Sequence, residues 1–164
     1  MSWLQIWMLL HILAAIVAFG PTFMFPLIVS VAGKEPVHMP FASPITVTIT
    51  EKVTLPVALS MAVSGICLIV AAHIGFFGTA WLIASIVMYV LALLYSVFVQ
   101  RPAGERMLEL LRAVPPGPPP QGQGPPPEIV ALGKKLQTGG MILTAATLAV
   151  LVLMIWQPGG SSFS

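Results

Sequence analysis

The run GTAWLIASIVMYVLALLYSVFV, residues 78–99, contains no Asp, Glu, Lys, Arg or His. A helix of that length on a soluble domain would keep a polar stripe for water. This one offers only scattered Thr, Ser and Tyr hydroxyls. At 1.5 Å per residue it extends about 33 Å, enough to cross a hydrocarbon core of about 30 Å. Three further runs have the same character: Trp3 to about residue 28, with apolar sequence continuing to Ala32, then about 53–74 and about 139–156. Barrel strands would give segments of about ten alternating residues instead. The reading is therefore all-α: one integral membrane domain, residues 1–164, built as a four-helix bundle.

Composition agrees. The chain is 57% hydrophobic and 7% charged, against roughly 25% charged in soluble domains, and its mean hydropathy is +0.97. Nothing before Trp3 is charged and the first apolar run is too long for a signal-peptide core, so that segment is expected to be retained. The single cysteine, Cys67, lies mid-segment and allows neither an internal disulfide nor a paired-cysteine metal motif.

The basic residues set the orientation. Lys34 and Lys52 flank the first connection, and Arg101, Arg106, Arg112, Lys134 and Lys135 lie between the third and fourth spans. All seven share one side, which the positive-inside rule makes cytoplasmic, with N- and C-termini outside. The pI near 9.0 then reflects topology and attraction to anionic lipid rather than nucleic-acid binding. Trp3, Trp7, Trp81 and Trp156 fall near the outer interface, as an aromatic belt would.

The short joint HIGFFG makes the second and third helices antiparallel neighbours. The first connection, GKEPVHMPFASPITVTITEK, reads as an ordered interfacial loop holding His38, with ITVTIT able to form a short strand-like piece and Thr50 placed to cap the second helix. Pro56 follows in that helix's first turn, where a missing N–H costs little. In the second connection, AGERMLELLRAV (103–114) suits an amphipathic helix lying on the membrane surface. PPGPPPQGQGPPP (115–127) suits extended polyproline II, either a spacer or a strap docking another membrane subunit. EIVALGKKLQ then leads into the fourth span, which enters the membrane at Gly139-Gly140.

No Asp, Glu, Lys or Arg occupies the middle of any span, which argues against proton or ion carriage. Nucleophilic triads, phosphate-binding glycine loops and paired carboxylates are also absent from the sequence. Ala58, Ala62 and Gly65, and Ala145 with Ala149, have the spacing that lets helices approach closely.

His11 and His73 are the ionisable residues toward the outer leaflet. A neutral imidazole with a free nitrogen is an axial ligand for haem iron or chlorophyll magnesium. Ala14, Ala15 and Ala18 share the face of His11, leaving room for a flat macrocycle or equally for a neighbouring helix. His73 sits up to about 10 Å higher by residue count, so a shared bis-histidine ligand requires helix one to slide outward. Copper held by Met8 and His11 is a weaker option. Gly20, Pro21 and Pro26 account for a bend in the cytoplasmic half of helix one, tolerated where neighbours satisfy the freed carbonyls.

Leu10-His11, Gly20 and Pro26 resemble the first helix of small bacterial four-span membrane proteins of unknown function, and more distantly HemJ-type protoporphyrinogen oxidases and CopD-type copper proteins. The HemJ resemblance implies a haem-binding or catalytic role for His11 alone. The tryptophan and basic residue typical of that helix are replaced by Ala18 and Leu27. The resemblance implies a multi-pass protein of the bacterial cytoplasmic membrane.

Three expectations result. The first is a tetrapyrrole-binding subunit of a respiratory or photosynthetic complex, holding haem b or a (bacterio)chlorophyll through His11 with His73 as partner. The second is a pigment-free accessory subunit without cofactor, in contact with lipid and neighbouring subunits. The third is a protoporphyrinogen oxidase.

Overall fold

In a computed structural model, residues 2–34, 38–75, 79–113 and 126–158 are described. They form α1 (Trp3–Lys34), α2 (Met39–Ile49), α3 (Leu55–Ala71), α4 (Ala80–Tyr95), α5 (Arg101–Ala113) and α6 (Pro127–Trp156). A π-helical turn, Thr50–Thr54, fuses α2 to α3, and a second, Ser96–Gln100, fuses α4 to α5. The result is four long rods. Trp3–Ala32, Pro40–Ala71, Ala80–Ala113 and Pro127–Trp156, of 30 to 34 residues, are each long and apolar enough to cross a membrane.

Each rod is about 45–50 Å long, some 15 Å more than a hydrocarbon core needs. The surplus lies at the end that carries the lysines and arginines, and it absorbs segments expected to be connections. Residues 39–49 are helix α2 rather than an interfacial loop or strand. Thr50 is not a cap: its backbone is helical, and its hydroxyl donates to the Thr46 carbonyl at 2.8 Å. That back-bonding, with Thr46 doing the same to Ser43, keeps the threonine hydroxyls satisfied inside a helix.

The amphipathic stretch is α5, but it does not lie flat on the surface. It continues α4 and packs against α2 and α6, burying Ala103, Gly104 and Met107. Its apolar stripe is met by other helices rather than by lipid. Helix α6 starts at Pro127 and passes through Gly139-Gly140 without a break. Of the proline-rich stretch 115–127, residues 115–125 lie outside the described residues, while Pro126 caps and Pro127 opens helix α6.

Around the bundle, α1 packs against α3 and α6, and α4 packs against α6. The antiparallel pair α3 and α4 were expected to be close neighbours, yet among the described residues they share little packing. The link between them is the Tyr89 hydroxyl, which donates to the Ala58 carbonyl. Helix α1 takes the place beside α3 instead, through Ala18, Ala58 and Met61, with Ala14, Ala15, Phe19, Val57 and Leu93 around them. Small side chains on both helices permit that approach. Ala62 and Ala145, expected at such contacts, are exposed. Trp81 is buried as well, and so packs inside the bundle rather than in a belt.

Candidate functional site

Both π turns have the same sequence cause. A proline cannot donate to the carbonyl four residues back, and its ring crowds that carbonyl. Pro56 therefore strips Lys52, and Pro102 strips Phe98, of the usual partner. In each case the residue before the proline bonds one residue further back. The Leu55 N–H reaches the Thr50 carbonyl and the Arg101 N–H reaches the Ser96 carbonyl. The turn widens by one residue, an arrangement found often at functional sites.

Helix α1 carries a third proline at this level. Pro26 frees the Thr22 carbonyl, and the Thr144 hydroxyl of α6 answers it at 3.2 Å while sharing its proton with Gly140 at 2.9 Å. A Cβ on Gly140 would stand 3.1 Å from Pro26 Cγ, so the glycine is what lets α6 reach the freed carbonyl. The expectation that neighbours satisfy this carbonyl thus has a named donor.

These irregular turns surround a cavity of about 110 Å3 to which all four rods contribute. Phe25, Val29, Val47, Met107, Leu136 and Leu143 supply apolar wall, whereas Thr50, Glu51, Thr54, Ser96, Gln100 and Arg101 supply polar wall. An engineered cavity of about 150 Å3 admits benzene. At about 110 Å3 this chamber is smaller than that, with room for a few waters.

Among the described residues polar accounting leaves three atoms over: Trp7 Nε1, near the outer end of α1, and two on residues of the chamber wall. The Gln100 amide donates from Nε2 to the Leu136 carbonyl at 3.3 Å. A Cβ on Gly139 would fall 2.3 Å from that nitrogen, so the adjacent glycine makes the contact possible. Gln100 Oε1 and Thr54 Oγ1 are buried without a protein partner, and buried polar atoms in that state call for an explanation. At the rim, Arg101 Nε pairs with Glu51 at 3.1 Å and Glu105 at 3.0 Å. Arg106 pairs with Glu128 at 3.1 Å and Glu109 at 3.2 Å. Exposed pairs of this kind are worth about 0–1 kcal/mol, so they orient the rim more than they stabilise the fold.

His11 lies at the α1–α3 seam, away from the chamber. Its Nδ1 is 2.9 Å from Ser64 Oγ, and that hydroxyl donates to the Met61 carbonyl at 3.1 Å. A hydroxyl has one proton: with it on the Met61 carbonyl, Nδ1 donates to Ser64 and the lone pair of the neutral ring is on Nε2, and with it on Nδ1 the roles reverse. A Cβ on Gly65 would meet His11 Cε1 at 3.4 Å. Of the other residues expected at this site, Ala14, Ala15 and Ala18 pack against the α3 side of the core, Ala18 being wholly buried. Helix α3 closes over Ala18, whereas Ala14 also lines an open groove of about 510 Å3 with Trp7, Val57, Ser60 and Ser64.

His73 is not brought to His11. It is exposed beyond the end of α3, with a left-handed φ of 52° in the turn, nine residues past Ser64 and so about 13 Å along the axis. Met8 is exposed. Among the described residues no group of three or more His, Cys, Asp or Glu side chains is placed to hold a metal.

Gln100 and Thr54 were missed as site residues because the sequence puts both near helix ends. The signal that finds them is a proline inside an apolar helical run, Pro102 and Pro56, with a polar side chain one or two residues before it.

Four apolar rods with buried polar groups gathered at their charged end define a multi-pass integral membrane protein. Residues 5–158 match the family described as predicted integral membrane protein (DUF2269), and the chain belongs to that family. No curated protein and no solved structure matches it.

Proposed function

We propose that this is a membrane-embedded binding protein whose site is the four-rod chamber at its basic, cytoplasmic end. The observation that carries the reading is the convergence of all four rods on one cavity of about 110 Å3, two of whose lining residues, Gln100 and Thr54, each hold a buried polar atom without a protein partner. An interior that needed only to be stable would leave neither atom alone, since each costs about 1–3 kcal/mol unpaired. The same prolines that open the turns weaken the backbone ladders there, which is tolerated in a membrane only where the backbone faces protein or a polar cavity.

Replacing Thr46 and Thr50 together by leucine fills the chamber from the α2 side. Wild-type protein released from nanodiscs into a mass spectrometer is expected to carry a small molecule that the filled variant lacks. Identical spectra from the two proteins would remove the chamber as the site.

A second reading follows from the His11 tautomer. Metal-ligating histidines commonly donate their other ring N–H to an oxygen, and Ser64 Oγ stands 2.9 Å from His11 Nδ1 to accept one in the Nδ1–H tautomer. Its Nε2 chemistry fits one axial ligand to haem or chlorophyll, held from a single side, with no partner from His73. Protein purified from haem-replete cells would then show a Soret band, lost in His11→Ala and weakened in Ser64→Ala. A colourless, folded wild type sinks this reading and leaves the chamber untouched.

A further inference from the structure

Lysines that no carboxylate claims mark a second surface, independent of the chamber. We infer that the outer side of the α1–α6 seam binds one anionic phospholipid at the basic end of the bundle. Its phosphate lies between Lys34 and Lys134, and an acyl chain lies against Leu27 and Met141.

Four of the chain's five carboxylates are described, Glu51, Glu105, Glu109 and Glu128. Arg101 and Arg106 hold all four. Among the described residues that leaves Lys34 and Lys134 exposed, with no acid to pair with.

Register brings these two lysines to one height. Pro26 meets Gly140, and the Thr22 carbonyl, four residues back, meets Thr144, four residues on, so α1 and α6 run antiparallel. Lys34, eight residues past Pro26, is then level with about residue 132 of α6, and Lys134 stands within about 3 Å of that height. Direction agrees. At about 100° per residue Lys34 is about 80° around α1 from Pro26, and Lys134 is about 120° around α6 from Gly140. Phe25 and Val29 of α1, and Leu136 and Leu143 of α6, all of which line the chamber, fall on the other side of those two contact residues. Because the rods are antiparallel, both ammonium groups turn to the same outer side of the seam.

Depth and chemistry select the occupant. Helix α1 measures about 46 Å from Trp3 to Lys34, close to the about 40–45 Å of a bilayer with both headgroup layers. Lys34 is thus at phosphate height when Trp3 is at the opposite interface. Two turns toward the bilayer centre, on the same faces as the lysines, stand Leu27 and Met141, 59% and 52% exposed. Basic pockets between spanning helices suit anionic headgroups, whereas a zwitterionic headgroup brings its own cation and gains less from the pair.

Titration of the full chain in detergent with phosphatidylglycerol, and with phosphatidylcholine of the same chains, is read by native mass spectrometry. Phosphatidylglycerol is expected to bind more tightly. Lys34→Gln with Lys134→Gln should weaken it about thirtyfold, at the usual worth of a basic residue beside an anionic headgroup. Unchanged phosphatidylcholine binding in that variant reports an intact fold. Lys52→Gln with Arg112→Gln removes the same charge from other helices and should bind phosphatidylglycerol as wild type does. Equal affinity of wild type for the two lipids overturns the inference, and so does an equal loss in both double variants, which reduces the effect to net charge. Inorganic phosphate binding as tightly as the lipid would overturn the acyl contact, and a lipid-free mass of two chains would give the seam to a second copy instead.

Discussion

A leucine in place of Gly140 is expected to lower the stability of the bundle by about 3 kcal/mol. Helices α1 and α6 approach closely here: the first added carbon would stand 3.1 Å from Pro26 Cγ, and three more must follow it. A pyrrolidine ring cannot rotate away, so α1 itself would have to move. Overpacking of this kind costs about 1–3 kcal/mol. Separation of the helices also removes the Thr144 hydrogen bond to the Thr22 carbonyl, worth about 1 kcal/mol and more when the carbonyl is left buried.

Unfolding by denaturing detergent, followed by far-UV circular dichroism, measures the loss. Gly20→Ala is the matching control. A Cβ at Gly20 meets nothing within 4 Å, so that variant should be unchanged or more stable by up to about 1 kcal/mol. Equal stability of Gly140→Leu and wild type would show that α1 and α6 do not meet at this glycine.

The second large effect is expected at Ala18→Leu. Ala18 is wholly buried at the α1–α3 contact, against Ala58 and Met61. Three added carbons force the two helices apart at a cost of about 1–3 kcal/mol. The separation should also lengthen the His11–Ser64 hydrogen bond, seven residues or about 10 Å away along α1. The histidine's nitrogen-15 chemical shifts would report that change independently of stability. A variant with native stability and unaltered His11 shifts would mean the alanine face is open, with room for a ligand rather than for α3.

The four spans were legible because an uninterrupted apolar run has few alternatives in a chain so poor in charge. Their length was not. ITVTIT and AGERMLELLRAV read as loop and surface helix because β-branched residues and charges are poor evidence for a buried helix in isolation. ITVTIT is helical, and AGERMLELLRAV, a helix as expected, leaves the surface, through tertiary contact of α2 with α5 and of α5 with α6. Pro56 was placed correctly in a helix, but its consequence for the preceding turn depends on the residues before it already being helical. His11 stood out by chemistry, whereas Gln100 stood out only once Leu136, from a rod 36 residues on, was seen to claim half of its amide.

The π turns also change what a helical wheel can say about this chain. Each holds one residue more than a regular turn, which offsets everything after it by about 100° from the phase before it. The face that α2 turns toward α5 and the face that α3 turns toward α1 are therefore different angular sectors of one continuous rod. A wheel drawn across residues 39–71 superimposes those two sectors and smears both, and the same holds across 80–113. Read in two phases, broken just before Pro56 and Pro102, these two rods keep α1 and α6, respectively, as neighbours on both sides of the break and meet each other through α2 and α5 in the charged half.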